Sequence, residues 1–278
     1  MVEERTGGGQ QGVAEAGRSV EDALLGCFND VKHVVAVMSG KGGVGKSTVT
    51  GLLAMSLRSL GYSVAILDAD ITGPSVPRAF GLRGQPGVTP YGLQPAETAT
   101  GIRVMSINLM LPQEDDPVVW RGPLLAGAVK QFWGETDWRE VDFMLVDLPP
   151  GTGDVPLTVL QSLPVSRVVI VTSPQQLASM VVKKSVKMTQ KIGTRVLGLI
   201  ENMSSVQCPH CGTEMEIFGP SLGRETAAAM GIAWLGSLPW NPDLLRRIDQ
   251  GRIEEIDPNP LAGIARRLAG ELMATAGT

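Results

Sequence analysis

The sequence has few of the features that mark secreted, membrane-spanning or nucleic-acid-binding proteins. Its 3 cysteines among 278 residues are too few for the disulfide framework of a secreted domain. No stretch reaches the roughly 18 apolar residues that a membrane-spanning helix needs. Residues 1–11 are acidic and glycine-rich, unlike a signal peptide. These absences predict a cytoplasmic protein with no membrane partner.

Basic clusters are also missing. The formal net charge is −4, and Lys and Arg do not gather into a run anywhere along the chain. Nucleic-acid-binding proteins show a basic patch or stripe, so we expect no nucleic-acid partner. With 43% hydrophobic residues, the chain can bury one large core.

The order of the apolar segments predicts an α/β protein. Residues 1–30 indicate a flexible tail with a lead-in helix, and residues 31–278 a single domain. Predicted strands cover residues 34–38, 63–67, 103–107, 143–146, 167–171, 196–201 and 232–238; predicted helices cover 47–60, 124–133, 176–192 and 261–273. Such alternation favours a mostly parallel sheet with helices on both faces. Residues 72–100 and 204–223 interrupt the pattern and are predicted to be functional loops.

A glycine-rich segment at residues 40–47 separates the first predicted strand from its helix, the context that a phosphate-binding loop (P-loop) requires. Glycines let backbone N–H groups converge on phosphates, the lysine reaches the β- and γ-phosphates, and the serine hydroxyl binds Mg²⁺. We therefore predict Mg-ATP binding and a P-loop NTPase fold. The predicted nucleotide-binding residues here are Gly40, Gly42, Gly43, Val44, Gly45, Lys46, Ser47 and Thr48, of which Ser47 is also a Mg²⁺ ligand.

A second lysine, Lys41, lies near the start of this loop. A P-loop needs only one lysine, and the outer edge of the loop suits contact with charge from another subunit, as an arginine finger in trans does. Lys41 and Lys46 are therefore both predicted to be catalytic. The alternative is that Lys41 is simply solvated.

Asp147 follows the predicted strand at 143–146 and opens the segment Asp-Leu-Pro-Pro-Gly-Thr-Gly-Asp. It resembles a Walker B aspartate, whose carboxylate holds Mg²⁺, here through water. Gly151 can bring its backbone N–H close to the γ-phosphate. A purely structural turn is the competing interpretation.

Two further carboxylates, Asp68 and Asp70, follow the predicted strand at 63–67. We assign Asp70 to the attacking water and Asp68 to the outer shell of the metal, although either could instead cap the following turn. A guanine-reading Asn-Lys-x-Asp motif is absent from the sequence, which favours adenine. Asn202 follows the strand at 196–201 and could meet the base edge or form a turn.

Cys208 and Cys211 form a Cys-x-x-Cys pair followed by glycine, the spacing in which two sulfurs face one metal. They fill half of a tetrahedral or cubane site. Because Cys27 is alone, a second copy of the chain is the economical source of two more thiolates. Zinc, a redox disulfide and an inert pair remain open, and His210 is predicted to be a spacer.

Together these motifs resemble the Mrp/ApbC iron–sulfur carrier family. The resemblance rests on residues 41–47, 68–75, 120–123, 147–154, 201–204 and 208–211. It implies a homodimeric ATPase with a deviant Walker A motif, related to the septum-site (MinD) and partition (ParA) ATPases, in which Lys41 crosses to the partner's nucleotide. It also implies a [4Fe–4S] cluster held by Cys208 and Cys211 of two subunits. The segment from Gly219 to Gly223 departs from the glycine pair usual in the family.

The function expected from this resemblance is loading of a labile [4Fe–4S] cluster from a donor and its delivery to recipient apoproteins, driven by ATP. The alternative is a MinD/ParA-like positioning ATPase with a structural zinc at the cysteine pair. Residues 261–273 carry both charge signs and small residues, which is typical of a packing helix rather than a basic membrane-targeting tail.

Overall fold

The computed structural model describes residues 29–70, 75–111 and 122–275. The tail and lead-in helix predicted for residues 1–30 therefore lie almost entirely outside the described residues, and so does Cys27. The same holds for residues 71–74 and 112–121, which include Trp120 and Arg121 of the family motifs.

An eight-stranded sheet forms the centre of the protein, in the order β12-β9-β8-β1-β7-β2-β6-β5. All neighbouring pairs are parallel except β5 with β6. Its strands are β1 (Asp30–Ser39), β2 (Val64–Asp68), β5 (Ala96–Glu97), β6 (Arg103–Ser106), β7 (Glu140–Asp147), β8 (Arg167–Thr172), β9 (Arg195–Asn202) and β12 (Trp234–Leu238). Two small hairpins stand apart from it: β3 (Gly87–Thr89) with β4 (Gly92–Gln94), and β10 (Val206–Gln207) with β11 (Glu214–Met215).

Helices cover both faces of this sheet. They are α1 (Lys46–Ser59), α2 (Ser75–Ala79), α3 (Gly122–Glu135), α4 (Asp154–Ser162), α5 (Gln176–Lys191), α6 (Gly223–Ala229), α7 (Pro242–Asp249) and α8 (Ala262–Thr275). Alternate residues of β1 enter two separate cores: Val35 and Val37 pack with α1 and α8, whereas Val34 and Ala36 pack with α3, α4 and α5. This two-sided burial explains the continuous apolar runs of the strands.

The predicted α/β class, with its mostly parallel sheet flanked by helices, is confirmed. The predicted strands match those of the structure to within a few residues at each end. Helices α4, α6 and α7 were not predicted. Helix α7 has only 8 residues and buries none of its side chains fully, although Leu244 and Ile248 pack against the core. The region predicted as a loop at 72–100 contains α2 and strands β3, β4 and β5 in its described part.

The C-terminal helix packs into the core, in agreement with the packing helix predicted for residues 261–273. Leu268 and Leu272 of α8 are buried beside α1, and Leu261 just before the helix is fully buried. Among the helices that the structure describes, none combines the length and the apolar character required to cross a bilayer.

Candidate functional site

The predicted nucleotide-binding residues meet where the three central strands end. In the sheet, Asp147 at the end of β7 lies beside Val37 of β1 and beside Asp68 of β2. Because the strands are parallel, the segments that follow them leave the sheet at the same edge. Ligands in open α/β sheets bind outside this edge.

The phosphate-binding loop connects β1 to α1. Gly43 and Gly45 have φ angles of +79° and +78°, in the left-handed region that favours glycine. A Cβ atom on Gly43 would have no neighbour within 4 Å, whereas one on Gly45 would lie 2.2 Å from Asn202 Nδ2 and one on Gly40 would lie 2.1 Å from Val181 Cγ1. The loop is therefore packed on its inner side and open at Gly43.

Remaining loop residues complete this arrangement. Val44 is buried, Gly42 is exposed and lies near Pro150, and Ser47 and Thr48 are half-buried in the first turn of α1. Backbone N–H groups at the start of a helix have no intrahelical partner and are available to bind an anion. The geometry fits a bound phosphate chain.

Asp147 is the centre of a buried network. Its carboxylate is fully buried and accepts hydrogen bonds from Lys46 Nζ (2.7 Å), Ser47 Oγ (2.5 Å) and Thr50 Oγ1 (2.6 Å). The Lys46 ammonium is 5% exposed and also lies 3.4 Å from Asp70 Oδ2. Burial alone would lower the pKa of Lys46, but the charges of Asp147 and Asp70 outweigh it and raise that pKa. Lys46 is thus a fixed cation beside the residues predicted to hold Mg²⁺.

Asp68 lies beneath this network. Its two carboxylate oxygens accept hydrogen bonds from Ser106 Oγ (2.9 Å) and from the Asp70 backbone N–H (3.1 Å). The second bond is the turn-capping contact that was the alternative for this residue. Burial, reinforced by the neighbouring charge of Asp147, raises the pKa of Asp68 well above its usual range. The outer-shell role of Asp68 stays a prediction.

Three other predicted residues border the loop through specific contacts. The Gly151 N–H donates to the Ser39 carbonyl (2.9 Å), so a contact with a γ-phosphate requires that bond to be exchanged. The half-buried Lys41 side chain hydrogen-bonds Gln175, at the start of α5. Asn202 is buried and donates from Nδ2 to the Val44 carbonyl (2.9 Å). This contact places the Asn202 amide under the phosphate loop, and its role in reading the base stays a prediction.

The cysteine pair lies at the tip of the β10–β11 hairpin. The Cys208 N–H donates to the Thr213 carbonyl, and the Gly212 N–H, at a φ of +71°, donates to the Cys208 carbonyl (both 2.9 Å). Both thiols are free; Cys208 is half-buried and Cys211 is exposed. The Cys211 sulfur lies 3.2 Å from the Thr213 hydroxyl, and hydrogen bonding, chiefly from that hydroxyl, lowers the pKa of the Cys211 thiol.

Comparison with known proteins gives this arrangement a family. The ParA family model described as "NUBPL iron-transfer P-loop NTPase" matches residues 30–273. The chain belongs to this family. The resemblance stated from the motifs is thereby confirmed.

Individual proteins similar to this iron-transfer P-loop NTPase agree with the family assignment. The iron-sulfur cluster carrier protein of Clostridium perfringens is 46% identical over 243 residues, covering 84% of this chain and 85% of that protein. A nucleotide-binding protein of Archaeoglobus fulgidus, solved in complex with ADP, is 42% identical with a TM-score of 0.77, covering 87% of this chain and 96% of that chain. The cell division ATPase MinD of Pyrococcus furiosus, 20% identical with a TM-score of 0.61 and covering 88% and 99%, shares the fold.

Several residues of the site in this iron-transfer P-loop NTPase were not predicted from its sequence. Thr50 Oγ1 binds Asp147, and its position four residues after Lys46 places it one helical turn further on the same face, a signal that could have revealed it. Ser106 and Gln175 gave no such signal, because only the sheet order and the packing of α5 bring them to Asp68 and Lys41.

Proposed function

We propose that this iron-transfer P-loop NTPase is a homodimeric ATPase that carries a labile [4Fe–4S] cluster between its two subunits and delivers it to apoproteins. The observation that carries the proposal is the pair of free thiols at one hairpin tip, the half-buried Cys208 and the exposed Cys211. Within residues 29–70, 75–111 and 122–275, no group of three or more His, Cys, Asp or Glu side chains is placed to hold a metal.

The dimer is proposed because each chain supplies only two thiols. A cubane cluster is held by four cysteine thiolates, and the hairpin supplies half of them. A two-fold axis beside the tip brings the same two residues from a second copy, which completes the set without any other ligand. A cluster held at an exposed tip is accessible for transfer, as a cargo must be.

In the nucleotide half of the proposal, Lys46 neutralises the β- and γ-phosphates and Ser47 binds Mg²⁺. Ser47 Oγ and the Asp147 carboxylate, which are hydrogen-bonded to each other (2.5 Å), would hold the Mg²⁺, Asp147 through water. Bound Mg²⁺ would offset the negative charge of the phosphates. Asp70, which reaches Lys46 from β2, orients the attacking water.

The relatives support this function over the positioning ATPase with a structural zinc. The Clostridium perfringens relative is named an iron-sulfur cluster carrier protein, whereas the likeness to MinD, at 20% identity, is one of fold. Helix α8 is packed in the core through Leu268 and Leu272, as expected of a packing helix.

Anaerobic reconstitution tests the cargo directly. We expect the purified protein to bind about four iron and four sulfide ions per dimer and to absorb near 400 nm, as thiolate-ligated iron–sulfur proteins do. About eight of each per dimer would contradict a shared cluster. Stoichiometric zinc without sulfide, in protein purified anaerobically and never reconstituted, would support the structural metal instead.

Lys41→Ala is expected to slow ATP hydrolysis by roughly a hundredfold, the usual cost of removing one group that stabilises developing charge. Affinity for Mg-ATP, measured by calorimetry, should change little, because Lys41 is predicted to act on the partner's nucleotide at the transition state. Lys187→Ala, which removes an exposed lysine of α5, is the matched control. A wild-type protein whose turnover per subunit is the same at all protein concentrations, monomer included, would contradict the role in trans.

A further inference from the structure

An apolar surface lies directly beside the cysteine pair. Among the residues that the structure describes, most exposed large hydrophobic side chains are scattered, but three fall between residues 215 and 218: Met215 (41% exposed), Ile217 (49%) and Phe218 (39%). Isolated exposed apolar residues are normal, whereas a contiguous group marks an interaction site. We call these three residues the apolar collar.

The hairpin geometry connects the collar to the thiols. Val206 pairs with Met215 across the two strands, and the Cys208 N–H extends the ladder by bonding the Thr213 carbonyl. Side chains directly opposite each other, or two residues apart along a strand, lie on one face. Cys208 and Met215 therefore share a face, and Ile217 and Phe218 lie in the turn that follows β11.

Two acidic residues, Glu214 and Glu216, lie next to Met215 in the chain. Glu214, on the opposite face of the strand, is turned back towards the domain, where its carboxylate accepts a hydrogen bond from Ser205 Oγ (2.5 Å). Residues 209–218 are all exposed, so the tip and the collar project together. The thiols at the tip and the collar are therefore neighbouring parts of one exposed segment.

We propose that the apolar collar is the contact between two copies of this chain, packing against the same residues of the second copy on either side of the shared cluster. The proposal rests on the proposed function, because the second copy is the source of the other two thiolates. Around a two-fold axis the same patch meets itself. Apolar cover beside the thiolates also limits access of water to the cluster.

The size of the collar predicts how the dimer behaves. Three side chains expose at most a few hundred Å², the scale of an ordinary surface patch, whereas a stable interface buries about 800 Å² on each partner. The collar alone is too small to hold two subunits together at this end. We therefore expect contact through the hairpins to form with the cluster and to be lost when iron is chelated.

Ile217→Lys provides the test. Lysine beside an anionic thiolate cluster is electrostatically favourable, so any loss isolates the apolar contact. Because the axis places the substitution in the interface twice, we expect the dissociation constant of the reconstituted dimer to rise roughly a hundredfold. Sedimentation of the anaerobic, nucleotide-free protein measures this, and iron retained after desalting should fall in parallel. Mg-ATP affinity should be unchanged, which shows that the domain is folded.

Val88→Lys is the matched control, since Val88 is 79% exposed on the other small hairpin, and Ile217→Leu should retain the wild-type dimer. Wild-type dimerisation and iron retention in Ile217→Lys would overturn the role of the collar as the contact between two copies, but not the proposed function. The same would follow if Ile217→Lys only impaired transfer to an apo-ferredoxin, because the collar would then serve the recipient. A wild type that binds no cluster would overturn the proposed function as well.

Discussion

Lys46→Ala is expected to weaken Mg-ATP binding by a hundredfold or more. A hydrogen bond to a charged group contributes about 1.5–3 kcal/mol, and Lys46 is positioned to make such bonds with two phosphates. Its ammonium is held 2.7 Å from Asp147 and 3.4 Å from Asp70, which fixes its position beside the phosphate loop. Isothermal calorimetry with Mg-ATP measures the change.

The same substitution also removes the cation that the buried carboxylates share. Asp147 is fully buried, and removing one partner of a buried ion pair costs about 3–5 kcal/mol. Lys46→Ala should therefore unfold at a lower temperature than the wild type, and binding must be measured below that transition. Lys187→Ala, on the exposed side of α5, should change neither property. A folded Lys46→Ala protein with normal affinity would refute the assignment of the phosphate loop.

Cys208→Ala and Cys211→Ala are each expected to abolish cluster binding. Losing one thiolate per subunit leaves two ligands per dimer, and a cubane cluster with open iron sites at an exposed tip should be lost. Nucleotide affinity should stay at the wild-type value, because the hairpin lies outside the phosphate loop and both side chains are at least partly exposed. Iron and acid-labile sulfide after anaerobic reconstitution provide the measurement.

Two control variants accompany the cysteine substitutions. His210→Ala, between the two cysteines, and Cys27→Ala should each retain the cluster, because neither residue is predicted to be a ligand. Retention of the full cluster in Cys211→Ala would show that the ligands lie elsewhere. Loss of nucleotide binding in the same variant would instead indicate damage beyond the hairpin.

The sequence was informative where one segment determines its own structure. The glycines of the phosphate loop, flanked by a strand and a helix, and the spacing of Cys208 and Cys211 are local patterns. Parallel strands buried on both faces produce apolar runs that single-sequence reasoning detects. The strand-ending carboxylates Asp68 and Asp147 were found for the same reason, since the edge of a parallel sheet collects them.

Other parts of the site depend on contacts between distant segments. The bond from Asn202 to the Val44 carbonyl joins residues 158 positions apart, and nothing near Asn202 in the sequence distinguishes that partner from a nucleotide base. Gln175 reaches Lys41 across 134 positions. The short helix α7 begins at the Asn241 cap, and its side chains Leu244 and Ile248 pack against a core that distant segments form.

The sequence separation between contacting residues is large in the nucleotide site and small in the cysteine hairpin. This difference affects how often each site opens. Lys46 and Asp147 are 101 positions apart, and they meet only when β7 lies between β1 and β2. Such long-range pairing forms late in folding and opens only with the sheet. The backbone amides of β1 and β7 should therefore exchange hydrogen through global unfolding alone.

The cysteine hairpin closes within ten residues through two short strands, and a two-stranded hairpin is marginally stable. Its amides should exchange through local opening while the sheet stays intact. A thiol pair on such a unit can release or accept a ligand without disturbing the rest of the domain. Hydrogen exchange should accordingly divide this protein into a slow nucleotide site and a fast hairpin.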